Sequence, residues 1–397
     1  MSNNSSDALS QPLTLPCGAV LKNRLVKSAM SDSLGDGCGN PTTAQIRLYQ
    51  RWADGGIAAM IVGEVQGSSH FAEKPGNLVL HADSNSTLFR QLAQTGSRQA
   101  QVWLQLGHAG AMAHPPISNP KGPSAINMPG LHCEAMTLDE VQKLPSEFAL
   151  TALRAQSLGF SGVQIHAAHG FLLSQFLSPL FNHRNDAYGG PIDARSRLLM
   201  EVVEEVRQAV DPQFVVAVKL NATDQLDGGL EQDDALAVIS ALDHSGVDLI
   251  DISGGTYFPG AKPASDRIES GPYFLEFAQR ARERTSKPIM VTGGFKTLEQ
   301  AEDAISSGSC DVVGLARTLV LDPDLPKRWI SGNLRNPEFP TFSSPPTGGI
   351  TAWYTMRMTL LGQDSENSEQ ADVETALQMY DKRDHERVIL WNNCFGK

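Results

Sequence analysis

The sequence predicts a (β/α)8 barrel, or TIM barrel, followed by a C-terminal helical extension. Between Asn23 and Arg317 we find eight short apolar runs, separated by stretches long enough for helices and often preceded by glycines. Continuous apolar runs are typical of strands buried on both faces, as in parallel sheets. Strand and helix alternating eight times over this length are what a barrel requires. A doubly wound open sheet is the alternative.

Each apolar run is rich in Val, Ile, Leu or Met, and helical spacing appears between the runs, for example from Leu198 to Val206. Glycines such as Gly159 and Gly246 stand where helices should end. The predicted strands, in chain order, are Leu25–Met30, Ala58–Val65, Val102–Leu106, Gly162–Ile165, Phe214–Leu220, Val247–Ile252, Pro288–Val291 and Asp311–Leu315.

Two long segments interrupt the repeat, residues 109–137 after the third strand and residues 174–191 after the fourth. Both leave from the C-terminal ends of strands, so in a barrel they would lie on the active-site face. We interpret them as functional loops, because long loops in a compact domain are more often functional than idle.

The strand and helix pattern stops after Pro323. Residues 336–349 are rich in proline and glycine, which predicts a connector on the surface. Two helices, Thr351–Gly362 and Asp372–Leu390, should follow and pack on the barrel or on a neighbouring subunit. The predicted division is a barrel over residues 1–333 and an extension over residues 334–397.

The composition indicates a soluble globular protein able to bury a large core, since 41% of the residues are hydrophobic and 19% are charged. A net charge of −12 argues against nucleic acid as a partner. No apolar run approaches the ~20 residues of a spanning helix, and the start of the chain lacks the pattern of a signal peptide. We therefore expect no membrane partner and a cytoplasmic location. A homo-oligomer is left open.

The five cysteines are scattered without the spacing of a metal site, and an odd, sparse set suits a reducing compartment. No cysteine cluster for an iron–sulfur centre is present in the sequence.

The segment from Val163 to Leu173 places two imidazoles, His166 and His169, where a buried strand runs out. Polar groups at that rim are accessible to ligands, which predicts a catalytic role. Each histidine could instead be structural, bonded to a backbone carbonyl. A metal site is disfavoured, because catalytic zinc needs three protein ligands and no nearby Cys or carboxylate completes the set. No metal is predicted.

The ends of the last two strands are suited to a phosphate. Thr292-Gly293-Gly294-Phe295 follows the seventh strand, and Gly314-Leu315-Ala316-Arg317 ends the eighth. Small side chains let backbone N–H groups approach a phosphate, and Arg adds two fixed donors. Glycine turns without function are the alternative.

Several motifs in a fixed order connect the chain to a known family. They are Lys22-Asn23-Arg24-Leu25-Val26 leading to Ala29-Met30-Ser31, Gln105-Leu106-Gly107-His108-Ala109-Gly110, Gly122-Pro123-Ser124-Ala125, and Gln175-Phe176-Leu177-Ser178-Pro179 with Asn182, Arg184, Asp186 and Tyr188-Gly189-Gly190. From about Leu13 to Trp329 the sequence resembles flavin-dependent ene-reductases of the old yellow enzyme type.

This resemblance implies FMN in the mouth of the barrel, which makes residues 1–333 an FMN-binding barrel. Ser31 and its two predecessors would line the flavin, Gly63 and Gln105 would bond the ring, and Lys219 would lie near N1 and the C2 carbonyl. Lys219 keeps the positive charge of a position that is Arg in many relatives. The implied cofactor-binding residues are Ala29, Met30, Ser31, Gly63, Gln105, His166, Lys219, Gly294, Phe295, Ala316 and Arg317.

The resemblance also implies a reaction, in which hydride passes from NADH or NADPH through flavin N5 to an electron-poor C=C bond. His166 and His169 would polarise the substrate carbonyl. Phe171 would contact the substrate, but it stands where relatives commonly carry a proton-donating Tyr. Tyr257 is therefore our candidate donor and third catalytic residue, with simple aromatic packing as the alternative.

Two other functions are compatible with the sequence. One is a flavin-free lyase or aldolase that acts on a phosphorylated substrate through a Schiff base at Lys219. The other is a protein that stores or senses FMN without turnover. The branches of the family that need an iron–sulfur cluster are disfavoured by the missing cysteines.

Overall fold

The eight apolar runs form eight parallel strands because each is buried on both sides, by the interior of a barrel and by a ring of helices. The computed structural model describes residues 7–96, 100–258, 271–333 and 335–396. Its barrel strands are β1 Leu25–Lys27, β2 Ala59–Gln66, β3 Gln101–Gly107, β4 Gly162–Ala167, β5 Val215–Asn221, β6 Leu249–Ser253, β7 Ile289–Thr292 and β8 Val312–Leu315.

The barrel is closed, since β1 pairs in parallel with both β8 and β2. The prediction of a (β/α)8 barrel is therefore confirmed, and an open sheet is excluded. The strands of the prediction end within about three residues of the observed ones. The largest difference is in the first strand, which ends at Lys27 rather than Met30, although the Ser28 N–H still donates to the Leu315 carbonyl at 2.8 Å.

The helices follow the strands as the repeat requires. Thr137 and Glu140 form a reciprocal capping box at the start of one helix, and Thr297 and Gln300 do so at another. The main helices are α1 Thr43–Asp54, α2 Ser86–Gln94, α3 Leu138–Ser157, α4 Arg197–Ala209, α5 Gln232–Asp243, α6 Leu275–Arg282, α7 Leu298–Ser306, α8 Leu325–Ile330, α9 Gly349–Gly362 and α10 Val373–Phe395. Shorter helical segments are Asp7–Ser10, Leu172–Leu177, Ile192–Arg195 and Arg317–Leu321.

Inside the barrel an apolar layer lies towards the N-terminal ends of the strands. Its members include Val26, Trp103, Ala217, Leu249 and Met290, all buried in one cluster. An N-terminal hairpin, Leu13–Thr14 with Val20–Leu21, packs against the same cluster and covers that end.

A polar layer follows one step further along each strand. Because inward positions recur with a period of two, the residue two places after each apolar one also faces the interior. Those positions hold Ser28, Gln105, Lys219, Asp251 and Thr292. The C-terminal mouth of the barrel therefore has a polar floor on an apolar base.

The long segments after β3 and β4 are more regular than predicted. The first contains strands Lys121–Gly122, Ile126–Met128 and Leu131–Ala135 in a small sheet. The Gln175 side chain ties the two segments together, since its Nε2 donates to the carbonyls of Ala109 and Gly170 at 3.1 and 2.7 Å. This part of the family motif therefore has a structural role, in fixing the loops above the mouth.

The C-terminal helices α9 and α10 pack on the barrel of the same chain. The Arg387 guanidinium donates to the Ser33 carbonyl at 2.5 Å, in the loop after β1. Cys38 in that loop forms a disulfide with Cys394 of α10, with 5.6 Å between the Cα atoms. The sequence did not predict this disulfide. Position 334, at the predicted domain boundary, lies outside the described residues.

Within the described ranges, no helix combines the length and the apolarity needed to cross a lipid bilayer.

Candidate active site

The two histidines lie on one turn of chain at the mouth of the barrel. His166 belongs to β4 and is only 2% exposed, so it faces the interior rather than lying just past the strand as predicted. β4 is two residues longer than its apolar run because His166 pairs in register with Lys219 of β5. His169 follows the strand end with a left-handed φ of 62°.

His169 is held in that strained conformation by contacts with the next two strands. Its backbone N–H donates to Asn221 Oδ1 at 3.1 Å, and its Nε2 lies 2.9 Å from Ser253 Oγ. A non-glycine residue at positive φ is uncommon and persists only where the surroundings enforce it. The strain is therefore an indication of a functional position.

Aromatic rings surround the imidazoles. The rings of His166 and His169 are 5.3 Å apart, and the Phe171 ring lies 4.9 Å from that of His166. The Tyr257 ring lies 5.8 Å from that of His169 and 6.1 Å from that of Phe171. Tyr257 is 63% exposed, so it forms the outer edge of this group of rings.

Both imidazoles are neutral at physiological pH. Burial lowers the pKa of His166 well below its ordinary value, with further contributions from His169 and from the positive charge of Lys219. Burial and Lys219 together lower the pKa of His169 to about 3. A neutral imidazole has one N–H donor, which can bond a carbonyl oxygen without adding a charge.

Glu64, which the sequence analysis did not identify, also faces this group. Its Oε1 lies 4.0 Å from His166 Nε2, and its backbone has a left-handed φ of 59°. Burial raises the pKa of the Glu64 carboxyl well above its ordinary value, and the negative charge of Glu73 adds to this effect. One acid within an apolar strand gives no distinctive sequence signal, which is why it was missed.

The polar floor is a continuous network of hydrogen bonds. Gln105 Nε2 donates to Gln164 Oε1 at 2.8 Å, and Gln164 Nε2 donates to Asp251 Oδ2 at 2.9 Å. Lys219 Nζ lies 2.7 Å from the same carboxylate oxygen in a buried ion pair. Two of the predicted cofactor residues, Gln105 and Lys219, are thus joined through residues that the sequence analysis did not single out.

The predicted phosphate loops are joined to each other. Thr318 Oγ1 donates to the Phe295 carbonyl at 2.9 Å, which links the loop after β8 to the loop after β7. Gly294 has a φ of +86°, and a Cβ there would lie 2.2 Å from the Gly271 carbonyl oxygen, so only glycine fits. The Arg317 guanidinium stacks on the Tyr354 ring of α9 at 4.9 Å.

The segment of Ala29, Met30 and Ser31 follows β1 beside β2. A Cβ at Gly63 would lie 2.3 Å from the Met30 carbonyl oxygen, so this segment and β2 approach closely at this point. In the described parts of the chain, Ser31 Oγ and His166 Nδ1 are buried without a hydrogen-bond partner. Buried polar atoms normally have partners, so these two are available to a ligand.

Among the described residues, no group of three or more His, Cys, Asp or Glu side chains could hold a metal ion.

The sequence profile of the NADH:flavin oxidoreductase / NADH oxidase family matches residues 8–336. The chain belongs to this family. Membership identifies it as an NAD(P)H-dependent flavin oxidoreductase with FMN as cofactor, in agreement with the resemblance to old yellow enzymes.

Curated relatives of the family agree with this assignment. The "NADH-dependent flavin oxidoreductase iliE" of Neonectria sp. (strain DH2) is 34% identical over 359 residues, which cover 81% of this chain and 46% of that protein. The protein of the same name from Hypocrea jecorina (strain QM6a) is 33% identical, covering 80% of this chain and 88% of its own length. This chain thus spans about half of the first relative and most of the second.

Solved structures share the fold of this family member. An old yellow enzyme homologue from Zymomonas mobilis superposes with a TM-score of 0.72 at 24% identity, covering 87% of this chain and 98% of that one. A 2-naphthoyl-CoA reductase in complex with 2-naphthoyl-CoA has a TM-score of 0.78 at 23% identity, covering 82% and 52%. At these identities the likeness concerns the fold alone.

The residues of this flavin oxidoreductase fit FMN. The floor offers a cation and an amide, Ser31 Oγ and His166 Nδ1 lack partners among the described residues, and the Gly294 turn leaves room for no side chain. The flavin-free alternative through Lys219 is set aside, because the family is a flavin family and the Lys219 amine is engaged by Asp251.

Proposed function

We propose that the protein reduces an electron-poor C=C bond, as in an enone, with NADH or NADPH as the reductant. The observation that carries the proposal is the pair of neutral imidazoles, His166 and His169, beside the buried Lys219–Asp251 ion pair of the barrel floor. Two neutral N–H donors at a partly closed mouth are suited to a carbonyl oxygen that gains negative charge during the reaction.

FMN, when bound, supplies the transfer of hydride from the nicotinamide to the substrate. In this proposal its phosphate is held by Gly294, Phe295, Ala316 and Arg317. The residues that would hold its ring are Ala29, Met30, Ser31, Gly63, Gln105, Lys219 and His166.

His166 and His169 bind the carbonyl oxygen of the substrate and polarise it, which makes the β-carbon electrophilic. Lys219 would offer a positive charge that stabilises the reduced FMN. Phe171 packs against the substrate and excludes water from it. Each of these roles uses a side chain that is buried or half-buried at the mouth.

Tyr257 is the proposed proton donor to the α-carbon, because Phe171 has no proton to give. Its ring stands beyond those of His169 and Phe171, and its backbone N–H donates to the His169 carbonyl at 3.2 Å, which supports the placement. Tyr257→Phe should lower the rate of product formation by about 10²- to 10⁴-fold, the usual effect of a lost general acid. Phe171→Tyr should restore it. An unchanged rate in Tyr257→Phe would mean that another group or water is the donor.

The test of the proposed function is an anaerobic stopped-flow experiment on the FMN-loaded protein. NADH and NADPH are mixed separately with it, and the reduced protein is then mixed with a panel of enones, nitro compounds and dienes. We expect bleaching by at least one nicotinamide and recovery of the yellow colour with the enones. Reduction without recovery by any member of the panel would favour an FMN-storing or sensing protein.

Cellular context and assembly are part of the proposal. We propose that residues 1–333 form the FMN-binding unit and residues 334–397 the extension, and that the protein works in the cytoplasm on a small-molecule substrate. There the cysteines of the Cys38–Cys394 pair would be kept largely reduced. A homo-oligomer is testable by light scattering at several concentrations.

A further inference from the structure

A carboxylate stands at the centre of the polar floor, and nothing in the proposed function uses it. Asp251 is completely buried, with 0% of its surface exposed. Its Oδ2 accepts hydrogen bonds from Lys219 Nζ at 2.7 Å and from Gln164 Nε2 at 2.9 Å, and its Oδ1 accepts one from Thr292 Oγ1 at 2.7 Å.

Stability alone does not account for this carboxylate. Desolvation costs several kcal/mol per ion, so a buried ion pair is often no more stable than apolar residues of the same volume. Apolar residues fill the layer directly below, at Ala217 and Leu249, two positions before Lys219 and Asp251. The change from apolar to charged occurs where the barrel opens to its ligand.

Asp251 also fixes the direction of the hydrogen bonds that run through the side-chain amides of Gln105 and Gln164. A carboxylate can only accept hydrogen bonds, so Gln164 must turn its NH₂ group towards Asp251 and its carbonyl oxygen towards Gln105. Gln105 therefore donates to Gln164, at 2.8 Å, and its own carbonyl oxygen remains an acceptor for a ligand N–H. A neutral amide at position 251 could donate instead, and these hydrogen bonds would lose their fixed direction.

The same carboxylate reaches the strand that leads into the phosphate loop. Thr292, the last residue of β7, donates to Asp251 and lies 2.9 Å from Ser28 Oγ on β1. Asp251 is thus bonded to three strands besides its own, β4, β5 and β7, through Gln164, Lys219 and Thr292, and it orients those three side chains.

We propose that Asp251 is a positioning residue that acts on the flavin through Lys219. It holds the ammonium group of Lys219 in one place by a hydrogen bond and by charge, and so limits the positive charge that Lys219 offers to the reduced ring. The inference rests on the proposed FMN site. Its consequence is that Asp251 sets the reduction potential of the bound flavin.

The first measurement is the two-electron midpoint potential of FMN-loaded Asp251→Asn. Without the carboxylate, Lys219 is uncompensated and stabilises the reduced ring more strongly. We expect the equilibrium between oxidised and reduced flavin to shift by about tenfold towards reduction, which corresponds to about +30 mV for a two-electron couple. Sulfite, an anion that binds to oxidised flavin and bleaches it, should bind about tenfold more tightly for the same reason.

Asp248→Asn is the matched control. Asp248 is a buried acid that directly precedes β6, at the N-terminal end of that strand. Its Oδ2 accepts a hydrogen bond from the Val216 N–H at 2.9 Å and lies 3.4 Å from Arg207 Nη1. This substitution should lower thermal stability and leave the midpoint potential and the sulfite affinity unchanged. A general loosening of the barrel would alter both variants alike, and would overturn the proposal.

A double-mutant cycle tests the route through Lys219. In a Lys219→Met background, Asp251→Asn should change the equilibrium constant between oxidised and reduced flavin by less than about twofold. The double variant replaces the ion pair with neutral groups and should fold even where a single variant does not. An equal shift in both backgrounds would show a direct effect of the carboxylate and would overturn the role assigned through Lys219.

Thr292→Val gives a milder test that keeps the ion pair. It removes one donor from the carboxylate, so Asp251 compensates more of the positive charge of Lys219 and the potential should fall instead of rise. No shift in either Asp251→Asn or Thr292→Val, in protein that retains FMN, would overturn the inference. Failure of the wild-type chain to retain FMN would instead overturn the proposed site.

Discussion

At the scale of single residues, the candidate site depends on groups whose charge state is set by burial. His166 and His169 are neutral because the mouth of the barrel excludes water and because Lys219 lies on the neighbouring strand. The pKa of His169 in the folded protein is lowered to about 3, below the ordinary 6.5 of the unfolded chain. Neither imidazole should take up a proton in the physiological range.

This lowering predicts the pH dependence of ligand binding. The affinity of the oxidised, FMN-loaded protein for an uncharged enone, measured from changes in the flavin spectrum, should be constant between about pH 5 and pH 8. Below pH 6.5 the unfolded chain binds protons that the folded one does not, so the histidines make the free energy of unfolding decrease as the pH falls. A binding curve with a midpoint near pH 6.5 would contradict the neutral pair.

Sequence reasoning identified the residues of the site unevenly. His166 and His169 were identifiable because two imidazoles at the end of an apolar run are unusual. Asp251 and Glu64 were missed because each is a lone acid within a strand, and only the three-dimensional pairing with Lys219 or His166 reveals it. The sequence signal that could have identified Asp251 is the alternation of inward and outward positions along a strand. Asp251 stands two residues after Leu249, an apolar residue that faces the interior.

At the scale of elements, the C-terminal helices touch two parts of the catalytic face. Tyr354 of α9 lies under the Arg317 guanidinium, which is proposed to bind the FMN phosphate. Helix α10 packs against the loop after β1 through Cys394, Arg387 and their neighbours. The extension therefore supports loops at the mouth of the barrel.

The contact between Arg317 and Tyr354 predicts an effect on cofactor affinity. A cation over an aromatic ring is worth about 0.5 to 2 kcal/mol, so Tyr354→Leu should raise the dissociation constant of FMN by about 2- to 30-fold. Tyr354→Phe keeps the ring and should retain most of the affinity. Trp391→Leu, in α10 and buried in a separate apolar cluster, is the control and should cost stability without releasing FMN. Equal losses in the two Leu variants would contradict a specific role for Tyr354.

The disulfide predicts a redox dependence of stability. Oxidised protein should show three free thiols after denaturation, those of Cys17, Cys133 and Cys310, and unfold at a higher denaturant concentration than reduced protein. The difference should be about 2 to 4 kcal/mol, as is usual for disulfides, and Cys394→Ser should abolish it. Cys17→Ser is the control. Five free thiols in oxidised protein would show that the pair does not form.

At the scale of the whole molecule, the barrel was predictable from the sequence, whereas the small sheet after β3 and the Cys38–Cys394 disulfide were not. All eight strands were found because burial on both faces produces continuous apolar runs. The sequence predicted a loop where the small sheet between β3 and α3 lies, because strands as short as Lys121–Gly122 carry no periodic pattern. The bond between Cys38 and Cys394 spans 356 positions, a separation at which spacing predicts no pairing.

The whole barrel explains why these distant residues act together. Parallel strands bring every C-terminal end to one rim, so residues from Ala29 to Arg317 meet at one mouth. The apolar layer and the N-terminal hairpin close the other end. This architecture suits the proposed FMN site, in which the last two strands anchor the phosphate and β3, β4 and β5 contact the ring.

Single-turnover reoxidation of FMN-loaded protein by an enone measures directly how strongly the two histidines activate the substrate. The flavin is first reduced with dithionite, so that binding of a nicotinamide plays no part. In the variant His166→Ala/His169→Ala, we expect FMN to remain bound and reoxidation by the enone to be slower by about tenfold to a thousandfold, because the donors to the developing oxyanion are lost. Reoxidation at the wild-type rate would contradict the assignment of the two histidines as the groups that activate the substrate.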